Sequence, residues 1–300
     1  MLKIISYFTV AVIILVNSIS CVFMQMPKNI ASQTISYNTS GIKKDNYTND
    51  IFKVSETIEK TFPVSTRTKI KIYSFEGEIT VRSENTSVVK MRAIKMAVDK
   101  EASDGVKYNF SQENNTIDLQ ADYIKPARKI SYGKHNFYAK GAYVKWELAV
   151  PAETDLILET EEGKINVQDI NGEIKLSTKD GNITVTDCKG NLDIATFDGK
   201  VQIIGYQGNV EVINRGNDPV LVEGSFQNLS VETGGGNIFI GLAKSSGGTI
   251  ETDTENILVK DFVLKQKGQN KEGGHLYSFG INNSNYKIKS NTGKVSLYHY

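Results

Sequence analysis

From residue 163 to residue 208 a glycine returns every nine residues, at Gly163, Gly172, Gly181, Gly190, Gly199 and Gly208, and each opens a short run of alternating apolar and polar positions. The third position of successive blocks is Ile165, Ile174, Ile183, Leu192, Val201 and Val210; the fifth is Val167, Leu176, Val185, Ile194, Ile203 and Val212. Alternation at a period of two directs both positions to one face of a strand, and the β-branched bias suits a pleated, half-buried surface. The residue between them, such as Lys175, Asp193 or Glu211, then faces solvent. Glycine supplies the positive φ or close backbone approach that a corner needs, helped by neighbouring Asp or Asn. Each block predicts one strand and one corner.

Odd and even blocks end differently. Even blocks close with Thr178-Lys179-Asp180 and Thr196-Phe197-Asp198, whereas odd blocks carry Asp169 and Asp187, so the repeat is eighteen residues with two strands per coil. Stacked coils would lie ~4.8 Å apart, placing Thr over Thr and Asp over Asp, each burying its apolar face against its neighbours. Looser copies appear at residues 75–81 and 291–297, and residues 228–231 and 236–240 keep the alternation where the glycine spacing breaks. An array of this kind exposes strand edges at its ends, which requires caps. The expected fold is all-β: a parallel β-solenoid, β-helix-like, of 18-residue coils, forming one domain over residues 52–300. Within it, residues 52–150 form a β-rich, partly antiparallel N-terminal cap and residues 151–300 the repeat array.

The Gly-x-Ile-x-Val blocks, the upstream element at 75–81 and the run Trp146-Glu147-Leu148-Ala149-Val150-Pro151 resemble the bacterial adhesin-like β-strand-repeat family, a group of domains of unknown function. The resemblance covers roughly residues 52–300 and is one of sequence style. It implies an all-β protein of the cell envelope or the exterior, and brings no active-site residues with it.

The N-terminus bears on the compartment. Lys3 precedes a thirteen-residue apolar stretch, residues 4–16, which is short for a membrane span and of the right size for a signal-peptide core. Residues 1–20 read as a signal peptide. Ser18-Ile19-Ser20 followed by Cys21 resembles a bacterial lipoprotein signal, with Cys21 the lipidated first residue of the mature chain; Ser18 departs from the usual leucine. Residues 21–50 are rich in Asn, Ser, Thr and Lys without periodicity, a composition that cannot offset chain entropy by burial and reads as a flexible tether. The expectation is an exported envelope protein held to a membrane through a lipid.

Candidate chemistry is sparse. Cys188 has no base or second thiol near it in sequence and reads as a buried structural thiol. His135, His275 and His299 lie far apart without ligand spacing, so no metal is expected, and neither a P-loop nor G-x-S-x-G is present. Gly234-Gly235-Gly236 reads as a tight corner, and no cofactor is expected. Asp180 and Asp198 would stack on one face, as carboxylates do in polysaccharide-cleaving β-helices, but each directly precedes glycine, where Asp is a routine turn former.

One stretch stands out. Residues 123–145 contain no acidic residue, while basic side chains alternate with aromatic ones. Lys125, Arg128, Lys129, Tyr132, Lys134 and Tyr138 are candidates for binding an envelope polyanion or glycan through charge and ring stacking. The alternative is a long β-hairpin whose aromatics pack while its lysines stay solvated. A net charge of +1 lacks the basic footprint that nucleic acid requires. The expected function is a non-enzymatic, adhesin-like envelope scaffold with a glycan, polyanion or protein partner. A carbohydrate-active β-helix enzyme and a structural or regulatory envelope module are the alternatives.

Overall fold

The computed structural model describes residues 51–64, 67–132, 135–254, 256–271 and 273–300, with the backbone alone at Tyr132 and His135. The chain is all-β. The first part holds β1 (Val54–Pro63), β2 (Thr68–Ser83), β3 (Val88–Ala97), the short helix α1 (Lys100–Gly105), β4 (Val106–Glu113), β5 (Thr116–Tyr123), β6 (Arg128–Tyr132), β7 (His135–Ala139) and β8 (Ala142–Val150). The repeat blocks form β9 (Thr154–Gln168), β10 (Asn171–Asp180), β11 (Ile183–Thr186), β12 (Lys189–Asp198), β13 (Val201–Asn214) and β14 (Val220–Thr233). Beyond them lie β15 (Ile238–Leu242), β16 (Gly248–Thr252), β17 (Ile257–Lys260), β18 (Lys265–Gln269), β19 (His275–Phe279), β20 (Ser284–Ser290) and β21 (Val295–His299).

Pairing in the array is parallel with an offset of eighteen: Ile174 pairs with Leu192, Ile165 with Ile183, and Leu192 with Val210. Thr178 lies over Thr196 and Asp180 over Asp198, as the eighteen-residue repeat requires. The chain thereby builds two ladders joined at the corners. One ladder runs β4, β5, β2, β9, β10, β12, β13, β14, β20, β16, β19 and β18. The other runs β1, β3, β8, β2, β9, β11, β13, β14, β15, β21 and β17. β2, β9, β13 and β14 belong to both because they pass round a corner. The apolar third and fifth block positions fill the space between the ladders, all at most 3% exposed.

The two corner types explain why odd and even blocks differ. At one, Asp169 and Asp187 adopt φ of 58° and 52°, a left-handed conformation that Asp tolerates better than most residues, and the next side chains, Ile170 and Cys188, turn inward and are buried. At the other, Gly77, Gly163, Gly181 and Gly199 stack, and the buried hydroxyls of Thr160 and Thr196 donate to the carbonyls of Glu162 and Asp198 at 3.1 and 2.9 Å. The threonine hydroxyls thereby find partners at the corner, and the Asp198 carbonyl also accepts from the Gly181 N–H at 3.1 Å.

The ends depart from the simple coil. β2 is itself a coil in register with β9, pairing Gly77 with Gly163; the segment between them folds back antiparallel as β3 on β8 and β4 on β5, and β1, which precedes β2, pairs antiparallel with β3. Trp146 is fully buried there, donating to Ser74 Oγ at 3.2 Å, with Tyr108 and Phe110 edge-on to its ring. At the other end the order along the chain is broken. β20 pairs with both β14 and β16, and β21 with both β15 and β17, so the last coil lies between two earlier ones. Tyr298 and His299 therefore lie inside the array, Tyr298 pairing with Gly241 on one side and Lys260 on the other. β18 forms an antiparallel hairpin with β19.

Candidate functional site

The corner carboxylates are engaged by backbone. Asp198 Oδ1 and Asp218 Oδ2 both accept from the Gly199 N–H, at 3.2 and 3.0 Å. Burial, together with the hydrogen bond and charge of Asp198, raises the Asp218 pKa. Asp180 and Asp198 thus stack as expected, and Asp198 serves its corner. Cys188 is fully buried; its thiol donates to the Thr186 carbonyl at 3.2 Å and accepts from the Ile170 N–H at 3.3 Å. Burial pushes its pKa up to about 11, which suppresses the thiolate that nucleophilic chemistry needs. Among the described residues no group of three or more His, Cys, Asp and Glu side chains could hold a metal ion, and no helix is long and apolar enough to cross a membrane.

The basic aromatic stretch becomes the β6–β7 hairpin, packed beside α1. Arg128 forms ion pairs with Asp99 and, at 3.3 Å, with Glu101. The Arg128 hydrogen bond holds the Asp99 carboxyl below its usual range, and Asp99 also caps α1 by accepting from Ala102 N–H at 2.9 Å. Lys125 donates to the Glu101 carbonyl at 2.9 Å. Lys140, from the same stretch, pairs with Glu161 at 2.5 Å, and the Ile130 side chain is buried. Lys129 and Tyr138 remain exposed and face one another across the two strands. Lys134 and the Tyr132 side chain lie outside the described residues, as does Cys21. Of the six candidates, the hairpin brings Lys129 and Tyr138 together at the surface and commits Arg128 and Lys125 to the protein itself.

A more extensive feature arises from pairing between strands far apart in the chain. On the outer face of the first ladder, the parallel register aligns Glu173, Asn191, Asn209, Asn228, Asn285 and Thr249 in one row. The four asparagines form a directed chain of amide hydrogen bonds: Asn285 donates to Asn228 at 3.2 Å, Asn228 to Asn209 at 2.9 Å, and Asn209 to Asn191 at 2.9 Å. A second row two residues on holds Lys175, Asp193, Glu211, Ser230, Lys287 and Glu251. Together the rows line an open trough of about 630 Å³. The available signal was the recurrence of Asn191 and Asn209 eighteen residues apart; Asn285 joins them only through the inserted last coil, which periodicity does not show.

A family model, Toastrack DUF4097, matches residues 67–298. The chain belongs to this family. No curated protein matches the Toastrack chain significantly. Among solved structures it is similar to a candidate cell adhesion protein from Clostridium sporogenes ATCC 15579, at 13% identity and a TM-score of 0.35, over 82% of this chain and 100% of that one. It is also similar to a candidate adhesin from Bacteroides fragilis NCTC 9343, at 10% identity and a TM-score of 0.38, over 82% and 97%. A candidate lipid-binding protein from Parabacteroides distasonis ATCC 8503 matches at 10% identity and a TM-score of 0.22, over 81% and 96%. At these values the likenesses assign no role to any residue of the Toastrack domain.

Proposed function

We propose that this Toastrack protein is a non-enzymatic scaffold of the cell envelope, a β-solenoid that presents ordered rows of side chains to a partner. The observation supporting it is the asparagine ladder with its trough: outward side chains held in register across many strands form a surface suited to recognition. In contrast, the Asp198 and Asp218 carboxylates and the Cys188 thiol are engaged by backbone groups at corners. Export and lipidation at Cys21 belong to the same reading and rest on the N-terminal sequence. The exposed Lys129–Tyr138 pair is a second contact point for a glycan or polyanion, smaller than the trough.

The test separates anchoring from binding. Palmitate labelling of wild type and Cys21→Ala reports the lipid, with loss of label expected in the variant. The unanchored Cys21→Ala chain is then mixed with purified, delipidated cell envelope and sedimented. Co-sedimentation supports the scaffold; a chain that stays in the supernatant at every envelope concentration overturns the binding role.

A further inference from the structure

We propose that the trough along the asparagine ladder binds an uncharged polysaccharide strand running across the coils. The inference rests on the scaffold reading above and supplies its ligand class.

A primary amide carries two N–H donors and a carbonyl that can accept twice. The middle residues of the ladder, Asn228 and Asn209, each spend one donor and one acceptor on neighbouring amides. Each keeps a donor and an acceptor for a ligand. Sugar hydroxyls also combine both roles, so a strand of sugars can meet the row without regard to its direction. From Glu173 to Thr249 the row makes five inter-strand steps. At ~4.8 Å each, it is about 24 Å long.

Charge disfavours an anionic ligand, and the free amide donors and acceptors match the hydroxyls of a neutral sugar. Glu173 in the first row and Asp193, Glu211 and Glu251 in the second outnumber Lys175 and Lys287, both in the second, leaving an excess of two negative charges (four acidic minus two basic). Lys175 is paired with Asp193 at 3.4 Å, and Glu251 accepts from Asn270 at 2.6 Å. A polyanion would be repelled along the trough. The amide ladder also holds its side chains in place before a ligand arrives, which lowers the ordering cost of binding relative to free surface side chains.

The experiment titrates the full Cys21→Ala chain by calorimetry with two neutral hexamers, chitohexaose and cellohexaose, with their trimers, with the cationic glucosamine hexamer and with an anionic hyaluronan hexamer. A neutral hexamer is expected to bind more tightly than its trimer and than the anionic hexamer, and the cationic hexamer tests whether the excess negative charge rather than the amide row selects the ligand. The double variant Asn209→Ala/Asn228→Ala should weaken hexamer binding roughly tenfold or more through the lost hydrogen bonds. Circular dichroism confirms that it is folded, and Glu211→Arg, which places a longer side chain in the second row of the trough and leaves the amides unchanged, should weaken it as well. Unchanged binding in both variants, or preference for either charged hexamer, overturns the proposal. If the envelope retains the chain while no neutral glycan binds, the ligand class is wrong and the scaffold reading stands. If neither retains it, both fall.

Discussion

The corner column of Gly77, Gly163, Gly181 and Gly199 makes a sharp prediction for Gly181→Ala. Gly181 has φ of +150°, and a Cβ built there would lie 1.6 Å from the Gly163 carbonyl oxygen and 2.6 Å from its carbon. No rotamer relieves this, because both partners are backbone; the coils must separate at the corner. Two costs follow: about 1–3 kcal/mol for a non-glycine residue in a glycine-only backbone region, and about 1–3 kcal/mol for forcing packed groups apart. Their sum, ~2–6 kcal/mol, is a large part of the roughly 5–15 kcal/mol by which domains are stable.

Gly268→Ala is the internal control. Gly268 has φ of +139°, and nothing lies within 4 Å of a Cβ there. It bears the conformational cost without the collision. Alanine reduces unfolded-chain entropy alike in both variants, so that effect cancels in their difference. In urea titrations followed by circular dichroism, Gly181→Ala should lower the midpoint by about 1 M or more, at m-values of a few kcal/mol per M, and Gly268→Ala by roughly half of that or less. Equal shifts in the two variants would refute the claim that backbone contact between coils, rather than local conformation, fixes glycine in this column.

Asp218→Asn should raise stability at neutral pH. Because the folded Asp218 pKa is raised, first by burial and then by Asp198, the folded state binds this proton more tightly than the unfolded chain. Wild-type stability from this group therefore rises as pH falls through the folded pKa and is lost above it; the variant should lack that increment in urea midpoints across pH. Asp155 behaves oppositely: burial pushes its pKa up, but the Arg67 fork at 2.9 Å and the Glu173 N–H at 2.8 Å outweigh this and lower it. Its contribution is present above the unfolded value and lost as pH falls through the folded one, and Arg67→Ala should remove up to about 1 kcal/mol of it at neutral pH, measured by the same titration. Cys188 should resist a thiol reagent in the native state and react on unfolding; rapid native labelling would contradict its burial. Deleting residues 284–300 should abolish the single cooperative transition, because it unpairs β14 and β15 on one side and β16 and β17 on the other.

The repeat was legible because its cause is local. A period of two set the buried positions, and Thr178 with Asp180 announced the eighteen-residue offset before any pairing was known. The alternation of Asp169 and Asp187 also had a local cause, a left-handed corner. In the hairpin region Arg128 and Lys140 meet partners, Asp99, Glu101 and Glu161, that lie outside the acid-free stretch and reach it only after folding. Local composition reports which charges exist, not which remain available.

The asparagine ladder carries this point into function. Asn191 and Asn209 are consecutive coils of the repeat, but Asn285 reaches Asn228 across fifty-seven residues of chain. That reach exists because β20 enters between β14 and β16 rather than following β19 outward. The insertion lengthens the row by a coil that the nine-residue register lacks. It also makes the last coil hold two earlier ones together, so its pairing is non-local and carries a closure cost that the central coils do not. The same strand order that slows closure of this end supplies the fourth amide of the trough. A variant that lets β16 pair directly with β14 would then preserve most of the strand content and lose Asn285 from the row, so secondary structure and recognition at this surface are separable properties of the fold.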